Sequence, residues 1–126
     1  IDVETSDTRI GGVPPTDPVG TYDVATSVVT VELAGADVEA MVREPLGADG
    51  DRPGVVFVHG AGTGRFEEAF VAQAEALASA GLVTMVPNKR LDTYTTRERS
   101  YVGMANDYLR SVELLRDLPG VDPDRV

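Results

Sequence analysis

A short, wholly apolar run from Gly54 to Val58 constrains the fold more than any other part of this sequence. A continuous apolar run of this length is typical of a strand covered on both faces, as in a parallel sheet. A glycine-rich loop from His59 to Arg65 follows at once, and from Phe66 onward apolar residues recur at helical spacing. A strand, a tight loop and a helix in this order predict a β-α-β crossover, and therefore an α/β fold.

The segments on either side of this unit extend the same pattern. Residues 22–33 are rich in Val and Thr, and a short turn separates them from residues 38–43, which predicts an antiparallel hairpin. Residues 82–86 predict a second buried strand, which Pro87 closes. The predicted element order is therefore β-β-β-α-β-α, with a last strand beginning near Arg125.

Two helices are predicted from the spacing of the apolar residues. The first is expected to end at Gly81, and the second to begin at a capping box formed by Thr95 and Glu98. Ser79 is expected on a helix surface, and Asp107 at a turn, a cap or the surface. The predicted apolar faces are Phe66, Phe70, Ala74, Leu77 and Ala78 in the first helix, and Tyr101, Met104, Ala105, Tyr108, Val112 and Leu115 in the second.

The first 21 residues differ in composition from the rest of the chain. Residues 1–21 are rich in Thr, Asp, Gly and Pro, which predicts a flexible tail or linker before a domain spanning residues 22–126. Such tails often join an export signal or a lipid anchor to a folded domain. Because the sequence also begins at Ile1 rather than Met, we expect a secreted or cell-envelope protein.

Composition excludes several classes of function. The 126 residues carry 11 basic and 21 acidic side chains, a net charge of −10 that opposes binding to nucleic acid or to anionic lipid. No apolar run approaches the roughly 18 residues of a membrane span, so membrane insertion by this chain is not expected. With no cysteine and one histidine, the sequence predicts no thiolate or multi-histidine metal site.

The glycine-rich loop from Gly60 to Gly64 has three interpretations. The first is a nucleotide-binding loop. A phosphate-binding loop requires Gly-Lys-Ser/Thr at its end, but Gly64 is followed by Arg65. A dinucleotide fingerprint requires glycine at position 65, so the loop departs from both motifs. A plain strand-to-helix turn also uses glycine, because glycine adopts positive φ values at low cost. The third interpretation is an oxyanion hole, in which the backbone N–H of Ala61, with that of Gly62, meets the negative charge that acyl transfer builds on a carbonyl oxygen.

Two stretches of the chain resemble the α/β-hydrolase superfamily. The stretch from Gly54 to Gly62, Gly-Val-Val-Phe-Val-His-Gly-Ala-Gly, resembles the third strand and oxyanion loop of these enzymes. The stretch Val-Asp-Pro-Asp-Arg-Val, residues 121–126, resembles the lead into the strand before the nucleophile elbow. The resemblance covers residues 22–126, about the first half of a catalytic domain.

Among subgroups, the chain most resembles the dienelactone hydrolases and the esterase-like relatives of prolyl oligopeptidase. Their loop after the fourth strand often reads Asp-Lys-Arg-Gly, whereas residues 88–91 read Asn-Lys-Arg-Leu and match only in the middle. Lys89 and Arg90 could therefore pair with carboxylates of a following half or face solvent. Arg65 could contact a substrate carboxylate or face solvent.

The resemblance implies part of a serine hydrolase that acts on carboxylic esters or related acyl bonds. The implied catalytic machinery is a serine nucleophile, an acid and a histidine base, in that chain order. None of these three catalytic residues is recognisable in this sequence. Ser79 has only half of the elbow pattern. His59, by its place in the motif, is implied to support the oxyanion loop through hydrogen bonds to its backbone. The chain alone is therefore expected to be inactive.

The resemblance also implies a strand order. Strand 54–58 would lie between strand 82–86 and the strand beginning near Arg125, so one edge of a central strand would stay open without the following half. We expect that C-terminal half to be a partner of this chain, alongside a small acyl or ester substrate. Two other functions remain open: a non-catalytic structural or interaction fragment, and a nucleotide-binding α/β domain.

Overall fold

The chain folds into a small mixed α/β unit. A computed structural model describes residues 20, 22–33, 36–58, 68–88 and 97–126. The elements are β1 (Val24–Leu33), β2 (Ala36–Pro45), β3 (Gly54–Val56), α1 (Glu68–Ser79), β4 (Val83–Pro87) and α2 (Arg97–Arg116). This is the element order that the sequence predicts, although β3 is shorter than the apolar run. The predicted tail lies outside the described residues except for Gly20.

The four strands form one sheet in the order β1-β2-β4-β3. β1 and β2 pair antiparallel along their whole length, from Val24 opposite Pro45 to Leu33 opposite Ala36, so the predicted hairpin is confirmed. β2 pairs antiparallel with β4, whereas β3 pairs parallel with β4. Because α1 joins the parallel strands β3 and β4, the predicted crossover is confirmed.

Both faces of the sheet are covered at β4. On one face Val83 and Met85 pack with Leu115 of α2; the same cluster contains Ala40, Val42 and Val121. On the other face Thr84 donates its hydroxyl to the carbonyl of Ala74 in α1, at 3.4 Å. All five residues of β4 are buried, as expected for a strand covered on both faces.

The predicted stop of the first helix at Gly81 is confirmed, and its geometry explains the glycine. Gly81 has φ of 107°, in the left-handed region that residues with a Cβ rarely adopt. Its N–H donates to the carbonyl of Ala78 at 3.0 Å, and the N–H of Leu82 donates to that of Leu77 at 3.1 Å. These two bonds form a Schellman motif, which satisfies the last carbonyls of α1.

Ser79 is not on the surface, contrary to the prediction. It is 1% exposed, and its hydroxyl donates to the carbonyl of Ala76 at 2.8 Å and accepts from the N–H of Gly20 at 3.2 Å. Its own carbonyl accepts from the N–H of Tyr22 at 3.1 Å. The prediction was wrong because the chain before β1 packs over this end of α1, which helical spacing alone does not reveal.

The predicted apolar face of α2 is only partly correct. Leu115 is fully buried, but Ala105 is exposed, and Asp107 and Ser111 are 8% and 0% exposed. Ser111 satisfies its hydroxyl by donating to the carbonyl of Asp107 at 2.8 Å. The helix is turned in this way because Leu115 joins the main cluster while Leu114 packs on Val38 of β2.

A buried arginine lies between the sheet and α1. The side chain of Arg43 in β2 is 3% exposed, and its Nε lies 3.8 Å from Oε1 of Glu75 in α1. Its Nε and Nη1 are buried with no hydrogen-bond partner in the described part of the chain. Burial lowers the pKa of Arg43, and the charge of Glu75 opposes that shift. Burying the Arg43 guanidinium therefore costs solvation free energy, and its attraction to Glu75 offsets only part of that cost.

We expect the substitution Glu75→Gln to lower the free energy of unfolding by about 1 kcal/mol, because it leaves a buried guanidinium without its counter-charge. Arg43→Met should leave stability unchanged or raise it, since a hydrophobic side chain needs no counter-charge there. Urea unfolding followed by circular dichroism measures both changes. Glu113→Gln is the matched control, because it breaks an exposed pair with Arg110. Equal losses for Glu75→Gln and Glu113→Gln would contradict the prediction.

Candidate active site

The candidate site lies at the edge of the sheet where β3 and β4 end. Because these strands are parallel, their carboxyl ends meet at this edge, where ligands bind in open α/β sheets. Two segments leave it, residues 59–67 toward α1 and residues 89–96 toward α2. The predicted site residues His59, Ala61 and Gly62 belong to the first segment. They lie outside the described residues, as do Arg65, Lys89 and Arg90.

Backbone hydrogen bonds hold the chain where it enters both segments. The N–H of Phe57 donates to the carbonyl of Met85 at 2.9 Å, which continues the β3–β4 pairing one residue beyond the strand. The N–H of Asn88 donates to the carbonyl of Glu39 at 2.9 Å, which continues the β2–β4 pairing. The two loops therefore start from fixed points on the same edge.

Two groups at this edge could contact a ligand or a neighbouring loop: the side-chain oxygen of Asn88 and the side chain of Val58. The side-chain oxygen Oδ1 of Asn88 is buried and accepts no hydrogen bond within the described ranges. A buried acceptor of this kind is costly unless a donor reaches it. Val58, just after β3, is 63% exposed and presents an apolar surface at the same edge.

An aromatic pair joins the two ends of segment 59–67. Phe57, after β3, and Phe70, in the first turn of α1, meet edge to face, with ring centroids 5.9 Å apart and an interplanar angle of 76°. Such pairs contribute beyond the apolar area they bury. The pair fixes the N-terminus of α1 relative to the end of β3, which sets the span that the glycine-rich loop must cover. Helical spacing predicts that Phe70 lies on an apolar helix face but does not reveal this contact.

Two of the described serines, Ser79 and Ser111, have structural roles. Ser79 and Ser111 both donate their hydroxyls to backbone carbonyls of their own helices, so neither hydroxyl is directed at a base. Within residues 20, 22–33, 36–58, 68–88 and 97–126, no group of three or more His, Cys, Asp or Glu side chains could hold a metal ion. In the same residues, no helix is long and apolar enough to cross a membrane.

The residues after α2 lie along the other edge of β3. Val121 forms a parallel bridge with Arg52, and the N–H of Gly54 donates to the carbonyl of Arg125 at 2.9 Å. A Cβ at Gly54 would lie 2.9 Å from Cδ2 of Leu115, so a larger residue there would require the Leu115 side chain to shift. β3 thus has β4 on one side and the residues near Arg125 on the other, as the sequence analysis expected.

A turn directs this terminal segment onto β3. The carboxylate of Asp122 accepts hydrogen bonds from Nε of Arg125 and from the N–H of Asp124, the latter at 3.0 Å. The bond from Arg125 is the main cause of the lowered pKa of Asp122, and the Asp124 bond adds to it. The ionised form of Asp122 is therefore the one that holds the turn.

The fold of this chain is similar to that of several solved esterases and hydrolases. No family model and no curated protein matches the sequence. Among solved structures, brefeldin A esterase, a bacterial homologue of human hormone-sensitive lipase, matches 79% of this chain with a TM-score of 0.62 and 26% identity. A dienelactone hydrolase from Anabaena variabilis matches 82% with a TM-score of 0.58 and 21% identity. The esterase rPPE matches 87% with a TM-score of 0.56 and 18% identity.

This chain spans 29% of brefeldin A esterase, 48% of the Anabaena dienelactone hydrolase and 35% of rPPE. In the described residues, the sheet order, the parallel crossover and these neighbours define an α/β fold like that of the α/β-hydrolases. These matches support the α/β-hydrolase superfamily, and the described residues have the fold of an N-terminal portion of its catalytic domain. The superfamily and the fold class that the sequence analysis named are confirmed.

We expect Phe57 and Phe70 to be energetically coupled by about 0.5–1.5 kcal/mol, the usual range for an edge-to-face pair. The cycle consists of Phe57→Leu, Phe70→Leu and the double variant, each unfolded in urea. Phe57→Leu combined with Leu46→Ala is a control, because Leu46 is 54% exposed and should add independently. Additive effects of the two phenylalanine substitutions would show that the pair does not fix the loop ends.

Asp122 should contribute to stability at neutral pH and lose that contribution in acid. Because its pKa is lower in the folded chain than the ordinary value near 3.9, the contribution is present above that value and disappears as the pH falls through the folded pKa. Asp122→Asn should therefore flatten the fall of melting temperature between about pH 5 and pH 2. Differential scanning fluorimetry across this range measures the slope. An unchanged slope would contradict the role of Asp122.

Proposed function

We propose that this chain supplies the first part of a serine-hydrolase domain that acts on carboxylic esters or related acyl bonds. The observation that carries the proposal is that the carboxyl end of β3 and the N-terminus of α1, joined in sequence by residues 59–67, are held together by the contact between Phe57 and Phe70. A helix N-terminus carries unpaired N–H groups and a partial positive charge, so it favours an oxyanion. The esterases among the structural neighbours support the same function.

In this proposal the backbone N–H groups of Ala61 and Gly62 form the oxyanion hole. A serine attacks the substrate carbonyl, a histidine takes the serine proton and gives it to the leaving group, and the two N–H groups stabilise the oxyanion. His59 supports the loop by hydrogen bonding to its backbone rather than acting as the base. The fixed Phe57–Phe70 contact would keep the donors in place, and rigidity of this kind is what makes such donors effective.

The serine, the acid and the base belong to a C-terminal part of the same domain. The three matched neighbours are each more than twice as long as the part that this chain spans. The partners of this chain are therefore that C-terminal part and a small acyl or ester substrate. The net charge of −10 disfavours nucleic acid as a partner, and the mechanism requires no metal or organic cofactor.

A substitution at Ala61 tests the oxyanion hole. In the whole protein, Ala61→Pro should lower kcat for p-nitrophenyl acetate by about 10²–10³, because proline has no N–H to donate. Ala61→Gly is the matched control, since it keeps the N–H and should retain kcat within about threefold. Labelling by a fluorophosphonate probe reports the serine independently of turnover.

Three results would overturn the proposal. The first is a whole protein that neither hydrolyses p-nitrophenyl esters nor reacts with the fluorophosphonate. The second is equal kcat for Ala61→Pro and Ala61→Gly, which would remove the Ala61 N–H from the mechanism. The third is fluorophosphonate labelling of residues 1–126 on their own, which would place the nucleophile inside this chain.

A further inference from the structure

Strand β1 lies at one edge of the sheet, and in the described part of the chain no strand pairs with its outer side. It pairs with β2 residue by residue from Val24 to Leu33, and no position in this register is skipped. A long and regular edge strand presents a row of unpaired N–H and C=O groups, which is a template for another strand. Folded proteins usually protect such an edge against pairing, so an unprotected edge indicates a partner.

The register with β2 shows which backbone groups of β1 face outward. The N–H of Leu46 donates to the carbonyl of Asp23 at 2.7 Å, so residue 23 directs its backbone groups toward β2. Because these groups alternate along a strand, the odd-numbered residues of β1 bond to β2 and the even-numbered residues face the outer edge. Each outward residue offers both an N–H and a C=O there. The outward set is Val24, Thr26, Val28, Thr30 and Glu32.

The sequence of β1 lacks the features that protect an edge strand. Residues 24–33 contain no proline and no lysine, and Glu32 is the only charged residue among them. Val28, in the middle of the strand, is 51% exposed, and Thr26 and Thr30 on the same face are exposed as well. The outer edge thus combines uncharged β-branched side chains with unpaired backbone groups, a combination that favours strand pairing.

Two copies of β1 are complementary when they pair antiparallel about a twofold axis at Val28. Thr26 of one copy then lies opposite Thr30 of the other, and Val24 lies opposite Glu32. This register places every outward residue in a hydrogen-bonded pair, whereas moving the axis by one residue in either direction leaves Val24 or Glu32 without a partner in the strand. Pairs of threonines and pairs of β-branched residues directly opposite each other are favourable.

Charge at the edge itself does not oppose this arrangement, although each chain carries a net charge of −10. Glu32 is the only charged residue of β1, and it lies toward the end of the strand. At about 3.4 Å per residue, the Glu32 residues of the two copies would be roughly 27 Å apart, well beyond the screening length of about 8 Å at physiological ionic strength.

We propose that the outer edge of β1 is a docking surface for β1 of a second copy of this protein. The two sheets join into one continuous sheet across a twofold axis at Val28. Backbone hydrogen bonds hold the strands together, and the pairs of Val28 with Val28 and of Thr26 with Thr30 set the register. Because β1 lies at the opposite end of the sheet from β3, this surface is separate from the candidate active site.

Disulfide cross-linking in the whole protein tests the register. Residues 1–126 contain no cysteine, so the unsubstituted protein gives the background. Val28→Cys should form a disulfide-linked dimer on mild oxidation, because Cα atoms of a hydrogen-bonded antiparallel pair lie about 5.5 Å apart. Thr30→Cys is the matched control, since its two copies would lie roughly 14 Å apart along the strands. In nonreducing electrophoresis the linked fraction should be at least about tenfold higher for Val28→Cys.

A charge on the twofold axis should separate the two copies. Val28→Lys places two ammonium groups opposite each other, so it should raise the dimer dissociation constant in sedimentation by at least about tenfold. Leu46→Lys is the matched control, because Leu46 is 54% exposed but lies outside β1; it should change that constant by less than about threefold. In the unsubstituted protein, hydrogen exchange of the Val28 amide should slow as the protein concentration rises.

A whole protein that sediments as a monomer at every concentration would overturn the docking surface. Equal linked fractions for Val28→Cys and Thr30→Cys would reject the twofold axis at Val28. Equal dissociation constants for Val28→Lys and Leu46→Lys would show that the copies meet elsewhere. A Val28 amide that is already protected in the monomer would assign the edge to another segment of the same protein.

Discussion

The parallel pairing of β3 with β4 is the interaction on which the rest of the structure depends. β4 pairs on both sides, antiparallel to β2 and parallel to β3, and through β2 it connects to β1. Its five residues are all buried, so both helices must pack over it. Because a parallel neighbour requires a crossover, this pairing also brings the end of β3 and the N-terminus of α1 to the carboxyl edge of the sheet.

Much of this arrangement could be predicted from the sequence. The apolar runs that became β3 and β4 lack polar alternation and are short, which favours strands covered on both faces. Gly81 stopped α1 where the spacing of apolar residues ended, since a positive φ was needed there. These predictions succeeded because each depends on local chemistry and on a pattern confined to a few consecutive residues.

The remainder depends on contacts between distant segments. The burial of Ser79 comes from Gly20, which is 59 residues away in sequence, and no helical periodicity encodes that contact. The burial of Asp107 and Ser111 follows from how Leu114 and Leu115 dock on different strands. At the candidate site, the order Gly60-Ala61-Gly62 suggested the loop chemistry, but a catalytic triad is formed by residues far apart in sequence, and a single stretch of chain does not reveal it.

The buried Arg43 should add to the loss of stability on cooling. The cost of removing a charge from water decreases on heating, because hydration of ions has a negative entropy. Burial of the guanidinium between β2 and α1 therefore destabilises the sheet more at low temperature than at high temperature. The apolar cluster around Leu115 also contributes less stability on cooling. Both contributions act in the same direction, so the α1 side and the α2 side of the sheet should lose stability together at low temperature.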